Sequence, residues 1–499
     1  MEDVRKALTV SILARAFSAL LGLLALPIYI RFLGVKAYGV VGLFASLQVL
    51  VAFMDMGLAT TLTRVLAAVG QDRERLKHGR NAAVTFEWAY IGLAALIGLM
   101  LFMVSPVVAH RWVRLEALTA DKVALALQLA GIALACQWPS NLYAAGLAGL
   151  HQQTSLAVSS TAIACLRVVL SLLALWFRPT LESFFAVQIT ISLLQSIVMR
   201  VQMWRALVLV DHRALPRLTL LRQLRGFAAG MTAITITSIF LVQMDKFILS
   251  HLLLLSDFGV YVIASTLASS LYVLISPMFS VIYPRLATSW VAGDVQACSR
   301  LYHAGSQAMA ALVMPIAAVM SCFPAQSLFV LTGDPVLSDQ GAWVLVWLVT
   351  GSALNGLMNL PYAMQLAAGW TMLTVRINVA AVFMLAPLTW LLAKNFGAAG
   401  GAFAWLVLNF GYLLITPQLM HKRLLSGEKR RWYLEGILVP AAACIATVCA
   451  LWLLHHGDLS RWATALKLAA YFLVTTVVTA ACLPSIRVSA RDFFRKIDG

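Results

Sequence analysis

Three arginines, Arg15, Arg167 and Arg376, stand inside long apolar stretches of this 499-residue chain, and their charge demands an account. A charge at bilayer depth costs about 2.5–3.5 kcal/mol on insertion scales, so each needs water, a partner or a ligand. A guanidinium carries a fork of donors matched to phosphate oxygens, so arginines around a hydrated crevice would suit a phosphorylated head group. Counted from the expected cytoplasmic end of its helix, Arg15 lies roughly eight residues in, Arg167 about twelve and Arg376 about five, at depths of about 12, 18 and 8 Å. The alternative is that each is neutralised within its own bundle. Carboxylates are fewer. Asp55 and Glu87 are shallow candidates for counter-ions or gating groups, and Asp245 with Lys246, near the far end of a seventh apolar segment, reads as an interfacial pair or a gate contact.

The segments that must position these groups are helices. With 61% hydrophobic and 11% charged residues and a mean hydropathy of +0.87, the chain has more apolar surface than a soluble core needs. Stretches of about 20 apolar residues, enough to cross about 30 Å of hydrocarbon, recur from end to end. Fourteen spans are expected, at 8–30, 39–63, 82–104, 123–147, 156–177, 183–199, 227–249, 258–283, 304–323, 341–367, 372–392, 398–420, 435–454 and 464–483. The predicted class is an all-α integral membrane protein. Outer-membrane β-barrel strands are shorter and alternate, which excludes that class. The first segment follows Glu2-Asp3 and lacks a clear cleavage site, so it is read as a helix and not as a signal peptide.

The net charge of +17 is placed by topology. Alternate loops counted from the N-terminus hold 24 Lys/Arg and the opposite loops eight. The positive-inside rule then predicts both termini in the cytoplasm, and an even number of helices, which puts both termini on one side, fits that answer. That excess suits anionic lipid and calls for no nucleic acid. Seven scattered cysteines without a C-x-x-C predict neither disulfide nor metal. No P-loop, HExxH or nucleophile elbow is present, and no external loop approaches the size expected of a glycan polymerase or ligase, so an enzyme is not expected. Trp112, Trp138, Trp432 and Trp462 read as interfacial anchors, Asn355, Asn359 and Pro361 as a bend beside a cavity, and Gly397, Gly400 and Gly401 as close-packing positions.

Residues 31–67 and 251–287 align without a gap, with Leu33/Leu253, Gly39/Gly259, Val40/Val260, Leu47/Leu267, Leu66/Leu286 and Ala67/Ala287 identical. Arg178 and Lys394 pair at a nearly equal offset, under which Arg376 corresponds to Ser160, seven residues and nearly one helical face from Arg167. The chain therefore reads as two copies of one bundle related by an axis along the membrane normal. The expected parts are a first lobe of six helices (1–204), a basic linker (205–225), a second lobe of six (226–420), a basic loop (421–433), a terminal helix pair (434–484) and a tail (485–499).

Four segments carry a family resemblance: Arg31-Phe-Leu-Gly-Val-Lys-Ala-Tyr-Gly39, Met54-Asp-Met-Gly-Leu58, Gln243-Met-Asp-Lys-Phe247 and Gly397-Ala-Ala-Gly-Gly-Ala402. They resemble the polysaccharide transporter family, the Wzx-like O-antigen and lipid-linked oligosaccharide flippases of the multidrug/oligosaccharidyl-lipid/polysaccharide (MOP) exporter superfamily. The resemblance implies a V-shaped pair of lobes in the bacterial inner membrane. It further implies movement of an undecaprenyl-diphosphate-linked glycan to the periplasmic leaflet; on their charge and depth, Arg15, Arg167 and Arg376 are the expected cavity contacts of that diphosphate. The expected partners are that lipid-linked glycan, membrane lipids and polysaccharide polymerase or export machinery. No cofactor is expected, with proton or sodium coupling left open. The competing readings are a multidrug cation antiporter of the same superfamily, which would want buried carboxylates, and a membrane glycan ligase or polymerase.

Overall fold

The computed structural model describes residues 2–51, 58–67, 73–114, 119–150, 152–207, 240–454, 460–484 and 487. Among these the chain is helical throughout, and its only β feature is an isolated bridge between Arg114 and Leu254. In hydrocarbon a backbone must satisfy its own hydrogen bonds, which leaves the helix as the available form for continuously apolar segments. The elements are α1 (Glu2–Val51), α2 (Leu58–Ala67), α3 (Arg73–Val107), α4 (Ala120–Gly149), α5 (Gln153–Phe177), α6 (Leu181–Ala206), α7 (240–252), α8 (Leu255–Ser269), α9 (Tyr272–Val291), α10 (Val295–Cys322), α11 (Pro324–Thr332), α12 (Pro335–Ala367), α13 (Thr371–Arg423), α14 (Lys429–Tyr433), α15 (Val439–Leu453) and α16 (Arg461–Cys482).

Among the described residues eleven helical stretches are long and apolar enough to cross a bilayer. Two helices are double. Thr371–Arg423 has 53 residues, about 80 Å at 1.5 Å per residue, and a bilayer core needs about 30 Å. It divides at Gly397, where φ 60 and ψ −141 end one helix and begin the next; α1 divides likewise at Gly34, at φ 78. Only glycine adopts such angles without strain, so Gly397 is a joint between helices and not the close-packing position its neighbourhood suggests; nothing lies within 4 Å of where its Cβ would stand. With these divisions, each of the fourteen expected spans has a helical counterpart, the seventh described from residue 240 onward. The helices turn large side chains outward, as lipid-facing surfaces do: Phe177 is 80% exposed and Phe383 76%.

Packing divides the chain into two compact units, Met1–Gly259 and Val260–Gly499. The first holds α1 to α7 and the start of α8. Of the expected linker, residues from 208 on lie outside the described residues. At the end of α3 a π-helical turn, Val108–Trp112, follows Pro106 and swings Trp112 onto α7. There its indole Nε1 donates to Ser250 Oγ (3.1 Å), its carbonyl lies 3.1 Å from His251 Nδ1, and the two rings are 4.6 Å apart.

The repeat is visible in this unit as a reciprocal contact. A Cβ on Gly39 would stand 2.8 Å from the carbonyl oxygen of Leu255, and a Cβ on Gly259 would strike the carbonyl oxygen of Val35. Val35 and Leu255 are repeat equivalents, as are Gly39 and Gly259. Residue i of one copy thus meets j of the other while j meets i, the mark of two-fold pairing.

In the second unit the terminal pair, α15 and α16, packs on α10 and α11 through Val319, Phe323, Val448 and Tyr471. The Arg461 guanidinium donates to the carbonyls of Val330 (2.9 Å) and Leu331 (3.1 Å), which end α11. Glu428, in the short loop before α14, accepts from Ser299 Oγ and pairs with His303 Nε2, both at 2.8 Å on α10. Burial draws its carboxyl upward, but the bonds from Ser299 and His303 and the charge of Arg431 outweigh burial and hold it below the usual glutamate range. Trp432 is buried against Tyr302, its Nε1 donating to Ser306 Oγ (3.0 Å), and Trp138 is buried against Tyr90. Both were expected at the interface. Their rings pack against protein instead, and the Trp138 N–H is buried without a hydrogen-bond partner among the described residues, whereas Trp112 and Trp462 are exposed.

Two outcomes follow from this packing. Gly259→Ala must displace backbone and is expected to cost about 1–3 kcal/mol, seen as a lowered melting temperature in detergent; an unchanged melt would refute the close approach. Glu428→Ala is expected to cost about 1–2 kcal/mol near neutral pH. A depressed carboxyl contributes stability above its unfolded pKa and loses it as pH falls through the folded one, so the difference in melting temperature between parent and variant should shrink below about pH 4. A gap that stays constant to pH 3 would contradict this origin.

Candidate functional site

The polar centre of the first unit forms between α5 and α6. Arg167 and Ser171 are one turn apart on α5, and Gln188 and Gln195 are two turns apart on α6, so the two helices face each other with these stripes. Arg167 Nη1 donates to Gln188 Oε1 (3.1 Å) and Nη2 to Gln195 Oε1 (2.8 Å), while Gln188 Nε2 is 3.4 Å from Ser171 Oγ. Tyr29 of α1 adjoins Ser171 and Arg167, and its ring meets Phe184 edge-on at 5.5 Å. Ser192, on the same stripe of α6, is fully buried, and its hydroxyl has no partner among the described residues.

No carboxylate lies within ion-pair distance of Arg167 among the described residues. Its partners are neutral amide oxygens. They orient the guanidinium and offset part of its desolvation, and among the described residues no carboxylate balances its unit charge.

Glu87 is the opposite case. It lies on α3, 6% exposed, and is saturated with donors: Arg200 Nε and Tyr143 Oη (2.8 Å) on Oε1, and Trp204 Nε1 (3.2 Å) on Oε2. The Arg80 guanidinium stands 5.9 Å from the Trp204 ring centre. This carboxylate has its counter-ion and a full set of hydrogen bonds, so it ties α3, α4 and α6 together near one end. Arg167 and Glu87 do not meet.

Asp245 is buried on α7, while its neighbour Lys246, about 100° further round the helix, lines an apolar pocket of about 420 Å³ with Arg111, Trp112 and Ser250. Asp55 lies outside the described residues, as does the side chain of Arg15. Arg376, in the second unit, is exposed in a groove of about 930 Å³ along α13, where Lys422, Arg423 and Trp370 join it. Asn355 and Asn359 are engaged by protein: Asn355 accepts from Tyr272 Oη (3.0 Å) and donates to Asn409 Oδ1 (2.8 Å), and Asn359 Nδ2 donates to the Asn355 carbonyl (3.0 Å).

Sequence reading found Arg167 but not its glutamines. The available signal was two amides seven residues apart in an otherwise apolar helix. The grouping of Lys422 and Arg423 with Arg376 had no such signal, because a helix end and a helix start 46 residues apart meet only after the joint at Gly397 folds them side by side.

Comparison with known proteins agrees with this architecture. A lipid II flippase, MurJ, in an inward closed conformation superposes with a TM-score of 0.71 at 12% identity, over 98% of this chain and 100% of that one. An inward-facing MATE multidrug transporter of the MOP superfamily gives 0.64 at 15% identity, over 81% and 95%. A MOP transporter from Pyrococcus furiosus Vc1, described by the reverse polarity of its binding pocket, gives 0.56 at 14%, over 84% and 96%. No curated protein matches by sequence. The chain is thus a multi-pass membrane protein with the fold of MOP flippases and transporters, and, with the profile for "Polysaccharide biosynthesis protein" matching residues 4–290, it belongs to that family.

Proposed function

We propose that this protein is a flippase for a glycan linked through diphosphate to undecaprenol. In this reading it carries the head group from the cytoplasmic to the periplasmic leaflet of the bacterial inner membrane, with both termini in the cytoplasm. The observation that carries the reading is Arg167: a cation deep in an apolar helix, aimed by Gln188 and Gln195 and lacking a carboxylate among the described residues. A transporter of cationic drugs would need the reverse, a buried carboxylate kept free for its cargo. Glu87 is instead tied to Arg200, Tyr143 and Trp204. Family membership favours a polysaccharide precursor as cargo, and the MurJ likeness favours a lipid-linked one.

The obstacle to flipping is the head group, since each unpaired hydroxyl or phosphate oxygen costs several kcal/mol in hydrocarbon. A hydrated cleft removes that cost while the polyprenyl tail stays in lipid. Rocking of the repeats then exposes the cleft to each side in turn. Arg167 meets the diphosphate, and Arg15, a turn or two nearer the cytoplasmic surface on the same reading, meets it first. An inside-negative potential favours the outward passage of two phosphate charges by about 4.6 kcal/mol at 100 mV. Proton or sodium exchange would add to that drive, and no cofactor is part of the proposal.

At matched membrane levels, Arg167→Ala is expected to cut surface polysaccharide at least tenfold and to leave lipid-linked repeat units at the cytoplasmic leaflet. Arg167→Lys should restore only part, because an ammonium keeps the charge and loses the fork. Gln195→Glu supplies the missing counter-ion and should abolish export as fully as Arg167→Ala; normal export in either variant would refute the role.

A further inference from the structure

The groove along α13 has the composition of a phospholipid site. Its walls are Leu373, Ile377, Ala380 and Met384 before the joint at Gly397 and Leu408, Ile415 and Leu419 after it. Tyr412 Oη donates to Asn378 Oδ1 (3.1 Å) and holds the two walls together. At one end of this apolar trough are three cations, Arg376, Lys422 and Arg423, all exposed, and among the described lining residues there is no carboxylate. The Arg423 guanidinium stands 4.5 Å from the centre of the Trp370 ring, which anchors that end as an interfacial aromatic does. From Trp370 to Met384 the trough runs about 21 Å, somewhat more than one leaflet's share of a 30 Å core. A Cβ at Gly411, on its floor, would meet nothing within 4 Å.

We infer that this groove binds a phospholipid with an anionic head group. The phosphate lies among Arg376, Lys422 and Arg423, and an acyl chain lies along the trough. The cations explain a preference for net negative lipid over zwitterionic lipid, since a basic pocket between helix ends recognises anionic head groups. The apolar length explains why the ligand is a lipid and not free phosphate. Arg376 thereby differs from Arg167, which is held by amides inside the first unit. The site does not depend on the transport reading.

The test is native mass spectrometry of the purified full-length protein in detergent, titrated with dioleoyl-phosphatidylglycerol, dioleoyl-phosphatidylcholine or undecaprenyl diphosphate. The parent should retain phosphatidylglycerol at least fivefold more tightly than phosphatidylcholine. Arg376→Gln with Lys422→Gln should remove that preference, and Gly411→Phe, which puts a ring where a Cβ has open space, should weaken retention of both lipids. Arg167→Ala should leave phosphatidylglycerol retention unchanged, so a failure here is separate from a failure of the flippase proposal. Equal retention of the two phospholipids by the parent, or unaltered retention in both the charge and the Gly411 variants, overturns the inference. So does displacement of phosphatidylglycerol by a tenth as much undecaprenyl diphosphate in the parent and not in the charge variant, which would give the groove to the carrier lipid.

Discussion

Hydrocarbon does not hydrogen-bond, and the structure of this protein is the set of solutions to that constraint. The backbone satisfies itself by being helical. Several side-chain polar groups are satisfied in local sets: Glu87 by Arg200, Tyr143 and Trp204, Asn355 by Tyr272 and Asn409, and His303 with Ser299 by Glu428. Each set joins helices distant in sequence, so the same bonds that settle polar groups also fix which helices touch. Arg167 departs from this pattern. Its hydrogen bonds are met by neutral amides and no carboxylate pairs with it among the described residues, which is the feature that an anionic ligand would complete.

The duplicated plan supplies the scaffold. Gly39 and Gly259 exchange contacts with Leu255 and Val35, so equivalent positions of the two copies approach each other at backbone distance. An approach that tight requires glycine on both sides and leaves no room for a side chain. Nearby, the π-helical turn after Pro106 carries Trp112 onto α7, a second bond between a segment of the first copy and the start of the second. The glycine joints at Gly34 and Gly397 let pairs of crossing helices run on with almost no connecting loop.

Much of this was legible in the sequence, because hydropathy and length report the solvent directly. The helix class, the fourteen spans, the repeat and the family resemblance follow from apolar run lengths and from residues such as Gly39 and Gly259 that recur at one offset. Polar partnering was less legible. Glu87 read as either partner or titrating group, and only the fold brings Arg200, 113 positions away, against it. Trp138 and Trp432 read as interfacial, but the fold packs their rings against Tyr90 and Tyr302, partners distant in sequence, which leaves both inside protein. Gly397 read as a packing residue, since sequence shows the absence of a side chain and not the sign of φ. Arg376 read with Arg167 because its repeat equivalent, Ser160, shares nearly one helical face with Arg167, yet the side chains around the two arginines differ entirely.

The central claim is that Arg167 holds its charge for a diphosphate. Its most direct test is the affinity of the purified protein for undecaprenyl diphosphate compared with undecaprenol, measured for the parent and for Arg167→Ala. The account predicts that the parent prefers the diphosphate by more than tenfold and that the variant loses most of that preference while still binding the polyprenyl tail. An undiminished preference in the variant would contradict it.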